Sequence, residues 1–172
     1  MLRCSQSDRE NNMTLLNKSL SLGAIAIAAS LAGAPLAAQS VSASYPETIA
    51  AAIQDMGYRA EIGTDSYGDP HITSASNGVN FYIYFYGCSD SGDNCQDIQF
   101  TAAFDLDEGI STYSTNSWNI EKAFGRAYTD DEDDPVFQHY VVGVDGMSRY
   151  SFERTFERWI EGLDDYTDFI DW

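Results

Sequence analysis

The stretch from Val79 to Leu106 constrains this chain most, because it joins two apolar-rich segments through a short polar loop flanked by Cys88 and Cys95. If those cysteines lie directly across an antiparallel hairpin, opposed residue numbers sum to a constant and every other pairing follows. Phe85 then faces Ile98, Ile83 faces Phe100, Phe81 faces Ala102 and Val79 faces Phe104, all on one side, as the two-residue period of a strand requires. The other side carries Tyr86 with Asp97, Tyr84 with Gln99 and Tyr82 with Thr101. A slip of one residue would turn tyrosines into the core, so the apolar pattern and the cysteines select the same register independently. This hairpin is expected at the centre of the sheet.

The redox state of the two cysteines follows from the N-terminus. Leu20 to Leu31 carries no charge, follows Lys18, and runs into Ala-Gly-Ala-Pro-Leu-Ala-Ala-Gln, the order of a secretory signal peptide. It is too short for a membrane span of about 20 residues, so no membrane anchor is expected. Cleavage is expected after Ala38, with Ser40 and Ala43 as alternatives, and Met13 is an alternative start. Residues 1–38 are then a signal peptide and 39–172 a single soluble domain, periplasmic or secreted. Cys4 leaves with the leader, and in an exported chain Cys88 and Cys95 read as a disulfide.

Without residues 1–38, 25 acidic and six basic residues leave a net charge of −19. A surface so acidic repels nucleic acid and anionic lipid. Partners are expected to be basic, metal-bearing or apolar.

Along the chain, Ser44-Tyr-Pro-Glu47 reads as a capping box, followed by Ile49, Ile53 and Met56 at helical spacing up to Gly57. Tyr58 to Gly63 and His71 to Ser74 read as strands separated by turn chemistry, and Asn77-Gly78 as a tight hairpin into the central strand. Ser111 or Thr112 can cap a second helix that runs through Trp118 to about Ala123. Arg126 to Thr129 and Val136 to Val144 are two more strands, the second with apolar residues on both sides. Ser148 opens a last helix whose stripe is Phe152, Phe156, Trp159, Ile160, Leu163, Thr167 and Ile170. Gly162 within it marks a bend or close packing. The fold class is α+β, in the order α-β-β-β-β-α-β-β-α, with an antiparallel sheet and helices packed on one face.

Trp118-Asn119, Phe124-Gly-Arg-Ala-Tyr128, Asp131 and Asp134-Pro135, with the final aromatic helix, resemble the bacterial YbjN family of sensory transduction regulators. Tyr58-Arg-Ala-Glu-Ile, Asp69-Pro-His-Ile72 and Phe81-Tyr-Ile-Tyr-Phe-Tyr86 extend the resemblance over nearly the whole mature chain. The family is similar in fold to type III secretion chaperones, small α+β protomers that bind other proteins and often dimerise. The resemblance therefore implies a non-catalytic interaction or regulatory module with a protein partner, possible homodimerisation, and no catalytic residues or cofactor. It marks Trp118, Asn119, Arg126 and Tyr128 as family-pattern residues.

Three groups of residues are candidates for function. Tyr82, Tyr84 and Tyr86 stand on the side of the hairpin away from the core and would form an exposed strip suited to a partner. The run Asp130, Asp131, Glu132, Asp133, Asp134 reads first as a solvated hairpin loop. Its carboxylates Asp130, Asp131, Asp133 and Asp134 are the calcium alternative, although the spacing of an EF-hand is absent. Trp118, Asn119 and Arg126 read as determinants of the fold: Trp118 anchoring the second helix, Asn119 capping or bridging backbone, Arg126 pairing with a carboxylate. His71 and His139 are the only histidines and form no zinc pattern. Gly87-Cys-Ser-Asp-Ser91 lacks the second glycine of a hydrolase elbow. No residue pattern here specifies an enzyme.

Overall fold

The structure, a computed structural model, describes residues 40–172, so the expected signal peptide 1–38 lies outside the described residues. The elements are β1 (Ser40–Val41), α1 (Pro46–Asp55), β2 (Glu61–Thr64), β3 (Pro70–Ser76), β4 (Val79–Tyr86) and β5 (Asp97–Ala103). They continue with α2 (Thr112–Glu121), β6 (Arg126–Thr129), β7 (Pro135–Val141), β8 (Met147–Ser148) and α3 (Arg149–Ile170). This is the expected α+β architecture. Strands β2-β3-β4-β5-β7-β6 make one antiparallel sheet in that order, and the pair β1-β8 stands apart from it.

The register of the central hairpin is the one the cysteines imply. Tyr86 pairs with Asp97, Phe85 with Ile98, Tyr84 with Gln99, Ile83 with Phe100 and Tyr82 with Thr101. Cys88 and Cys95 are joined just beyond the Tyr86–Asp97 pair. Between β3 and β4, Asn77 and Gly78 take φ of 47° and 86°, the left-handed pair that a two-residue hairpin needs to match strand twist.

The core lies on one face of the sheet. There Ile72, Phe81, Ile83, Phe85, Ile98, Phe100, Ala102 and Phe137 meet Ile49 and Ile53 of α1 and the apolar stripe of α3. Fully burying each of the larger side chains is worth about 1.5–3 kcal/mol. Phe137 is held between Trp159 and Tyr166, with centroids 5.2 and 4.9 Å away and the planes nearly parallel. Gly125 and Gly162 both admit that ring. A Cβ on Gly125 would lie 2.3 Å from Phe137 Cζ, and one on Gly162 would lie 3.3 Å from it and 3.1 Å from Phe124. Gly162 therefore serves close packing, and α3 runs unbroken through it.

Several boundaries differ from the sequence expectation, each for a local reason. Ser44 does not cap α1: Tyr45 occupies the N-cap without a side-chain bond, Pro46 starts the helix, and the Ser44 hydroxyl donates to the Cys95 carbonyl instead. Pro46 needs no hydrogen bond to its nitrogen, so the first turn tolerates an uncapped start. Strand β2 begins at Glu61, because Tyr58 is turned inward to pack edge-on against Phe156 at 5.1 Å. Helix α2 stops at Glu121, and β7 at Val141, beyond which the Gly143 amide bonds to Asp97. On α3, Tyr166 and not Thr167 completes the buried stripe, three residues after Leu163 and four before Ile170. Ser111 and Ser148 are N-caps as expected, each accepting a backbone N–H three residues on.

Strands β1 and β8 carry no signal in the sequence. Ser40 pairs with Ser148 and Val41 with Met147, and Val41 and Ala43 are buried.

Candidate functional site

Because α1 and α3 cover one face of the sheet, its other face is presented outward. The strand period places a defined row there. Thr73, Tyr82, Thr101, Gln138 and Arg126 stand side by side across β3-β4-β5-β7-β6, and Gly63, His71, Tyr84, Gln99 and Tyr140 form the neighbouring row. Tyr82 and Tyr86 are each 40% exposed and Tyr84 is half-buried between them. All three expected partner-binding tyrosines therefore lie together on the outer face.

Their rings are organised as a layer. Tyr82 and Tyr84 stack at 5.7 Å, Tyr86 meets Tyr140 at 5.5 Å, and His71 lies 5.9 Å from Tyr82 and 6.2 Å from Tyr84. Gly63 leaves room for His71, since a Cβ there would come within 2.7 Å of the imidazole. Hydroxyls at the lower rim are fixed: Tyr86 donates to Gln99 Oε1 and Tyr140 to Asp97 Oδ2, while Gly143 N–H donates to Asp97 Oδ1.

The turn between β2 and β3 rises beside this layer. Asp65 Oδ1 accepts the amides of Tyr67 and Asp69, an Asx turn that sets Asp65, Tyr67 and Asp69 around the strip. Together with His71, Tyr82, Tyr84 and Tyr86 these residues line a cleft of about 640 Å³. The disulfide-closed loop supports it from outside, with Gly92 so close to the Gly68 carbonyl that a Cβ would lie 2.5 Å from it. Electrostatics in the cleft are negative. Burial raises the Tyr84 phenol above its ordinary value, with further contributions from Tyr82, Tyr86 and Asp65. Tyr86 is raised by burial, then by Tyr128 and Asp65, and Arg126 partly offsets this.

The family-pattern residues do structural work at the other end of the sheet. Trp118 is 2% exposed and meets Phe137 and Tyr166 edge-on at 5.6 and 4.9 Å, so it anchors α2 as expected. Asn119 bridges backbone: its Oδ1 accepts the Ala127 amide at 2.8 Å and its Nδ2 donates to the Ala127 carbonyl at 2.9 Å. It thereby imitates a neighbouring strand on the sheet's edge strand β6. Among the described residues Arg126 pairs with no carboxylate. Its guanidinium donates to Gln138 Oε1 at 2.7 and 3.3 Å and stacks over Tyr128, because the row across the sheet puts glutamine, not an acid, beside it.

The acidic loop is a turn held by two of its own carboxylates. Asp130 Oδ1 accepts the amides of Glu132 and Asp134, and Asp134 Oδ1 accepts the amide of Leu106, so these oxygens hold backbone. Among the described residues no group of three or more His, Cys, Asp or Glu side chains is arranged to hold a metal, Asp130, Asp131, Asp133 and Asp134 included. His139 is separated from His71 by lying on the core face, stacked on Phe124 at 4.0 Å, where burial lowers its tendency to take a proton.

Sequence reasoning misses Asp65, Tyr67, Asp69, His71 and Tyr140 as neighbours of the tyrosine strip. Only the turn between β2 and β3 has a local signal, Asp65 to Pro70, and it is legible as a turn and not as a wall. Tyr140 joins through the β5-β7 pairing, which is not local.

Comparison with known proteins bears on the whole described domain. Residues 45–172 match the family model YbjN, described as putative bacterial sensory transduction regulator. The chain belongs to the YbjN family. Among solved structures it is similar to the Yersinia pestis type III secretion chaperone SycH in complex with a stable fragment of YscM2. Identity there is 12% and the TM-score 0.43, over 67% of this chain and 93% of the chaperone. No curated protein matches the chain. Among the described residues no helix is long and apolar enough to cross a membrane.

Proposed function

We propose that this YbjN-family chain is an exported, non-enzymatic regulatory module that binds a polypeptide partner on the outer face of its sheet. The observation that carries the reading is the aromatic layer of Tyr82, Tyr84, Tyr86 and Tyr140, left uncovered while α1 and α3 pack on the opposite face. Aromatic side chains with a polar tip supply large contact area at low entropic cost and dominate the energetics of interfaces. Export is supported by the charged-apolar-small order of residues 18–38 and by the disulfide, which persists in oxidising compartments. Cleavage after Ala38 leaves Val41 and Ala43 in the domain, whereas cleavage after Ala43 would strip both from the core.

A partner with basic and apolar side chains fits best, since the mature chain carries −19. A homodimer through this face would bring two such charges together and would therefore be favoured by salt. The test is a capture experiment from periplasmic extract with the mature chain from Gln39, alongside its mass by light scattering, comparing the parent with Tyr82→Ser/Tyr84→Ser/Tyr86→Ser. A captured protein, or a dimer, that is lost in the serine variant while its melting transition stays cooperative supports the reading. Capture and mass both unchanged by the three substitutions would refute it.

A further inference from the structure

The cleft beside the tyrosine strip has a composition that selects one ligand chemistry. Its carboxylates, Asp65 and Asp69, line it together with Tyr67, Tyr84 and Tyr86, and among the described residues no lysine or arginine does. Tyrosine faces carry negative electrostatic potential that attracts a cation centred over the ring, and carboxylates beside them add to the same field. Burial together with Asp65 makes removing a proton from Tyr84 harder than usual, the response of a phenol in a negative, partly dry environment. His71 also lines the cleft, and among the described residues its enclosed Nδ1 has no hydrogen-bond partner.

We propose that this cleft is a recognition site for an ammonium or guanidinium group, supplied by a lysine or arginine side chain of the polypeptide that docks on the sheet. The inference rests on the docking reading above and adds to it the chemistry of the anchoring residue. In the complex the cation lies against Tyr84 and Tyr86 and exchanges its water for Asp65 and Asp69. The strip beyond, toward Tyr140, takes the apolar neighbours of that side chain. Closure of the Cys88–Cys95 loop matters to the site because Gly92 abuts the Gly68 carbonyl and buttresses the turn that carries both carboxylates.

The test is calorimetric titration of the mature chain with acetyl-(Gly-Arg)3-amide, acetyl-(Gly-Glu)3-amide and choline chloride. Asp65→Asn/Asp69→Asn keeps the amide-accepting oxygen of Asp65 and hence the turn, and removes two charges. Asp131→Asn/Asp133→Asn removes two charges from the distant acidic loop. The site predicts that the arginine peptide binds, the glutamate peptide does not, and the first double variant weakens binding about tenfold, the combined worth of two screened ion pairs. The second double variant leaves affinity within about twofold, as separated and screened charges should. Choline binding that falls in the same variant places the cation specificity in the cleft itself. No arginine-peptide binding, or equal weakening by both double variants, overturns the proposal. Loss of partner capture in the serine variant with arginine-peptide affinity untouched by Asp65→Asn/Asp69→Asn removes the cleft assignment and leaves the docking face standing. Arginine-peptide binding through the cleft with capture unaffected by the serine variant does the reverse.

Discussion

Replacing Asn119 isolates one device, the imitation of a strand by a side chain. Asn119 on α2 supplies the edge strand with both a donor and an acceptor at Ala127, a residue only 5% exposed. Asn119→Ala removes two hydrogen bonds worth about 1 kcal/mol each and leaves both Ala127 groups short of partners. Against this, alanine is better than asparagine in a helix by roughly 0.6 kcal/mol. The net loss is then about 1.5–2 kcal/mol, a fall in melting temperature of about 5–8 °C for a domain of this size. Asn119→Asp is the sharper variant. Its carboxylate still accepts from the Ala127 amide but faces the Ala127 carbonyl with no proton to give, near the negative end of α2. At neutral pH it should be less stable than Asn119→Ala. A protonated carboxyl restores the donor, so the folded state raises this group's pKa above its unfolded value. Stability gained from it is present at low pH and lost as pH rises through the folded pKa. Melting curves by circular dichroism from about pH 3.5 to 7, each referenced to the parent protein at the same pH, test this. The aspartate variant should approach the parent on acidification and the alanine variant should not. An alanine variant melting within about 1 °C of the parent, or an aspartate variant with no pH-dependent recovery, would refute the strand-imitation argument.

Three other perturbations follow from the packing. Gly125→Ala combines a left-handed φ of 70° with a Cβ 2.3 Å from a ring that Trp159 and Tyr166 hold in place, so it should cost more than about 2 kcal/mol in urea unfolding. Tyr166→Phe removes a buried hydroxyl that has no hydrogen-bond partner among the described residues, and should leave stability unchanged or raise it by about 1 kcal/mol. Burial pushes the Tyr166 phenol well above its ordinary value, so the folded state resists ionisation; the parent loses stability as pH rises past the unfolded value of 10, and the phenylalanine variant lacks that share of the loss on alkaline melting. Cys88→Ser/Cys95→Ser opens a short loop and should lower unfolding free energy by about 2 kcal/mol, with amide exchange rising first in the loop and in the turn it touches at Gly68.

The legibility of the fold and of the cleft in the sequence depends on how local each cause is. Asn77-Gly78 names its own turn because two left-handed residues can close a hairpin in few other ways. Cys88 and Cys95 name the register because their separation leaves one direct pairing, and the tyrosine strip follows from a period of two. Ser111 and Ser148 announce helices through short-range hydrogen bonds. By contrast, the capping-box reading of Ser44 fails because a hydroxyl that could bond within its own turn meets the Cys95 carbonyl, far away in the chain, instead. Thr167 reads as part of the α3 stripe, yet the residue buried there is Tyr166, whose ring is packed by Phe104, Trp118 and Phe137 from distant segments.

The sequence by itself determined the class of the fold, the central hairpin with its register, and the separation of a tyrosine face from a phenylalanine face. Those depend on backbone geometry and on periods of a few residues, which any chain carries along its length. The tertiary structure alone decided that β7 returns beside β5, that Arg126 meets Gln138, that Asp130 and Asp134 of the acidic loop hold backbone amides, and that the β2–β3 turn walls a cleft over Tyr84. Each joins segments far apart in the chain, where the choice among partners is made by the packing of the whole core and leaves no local mark.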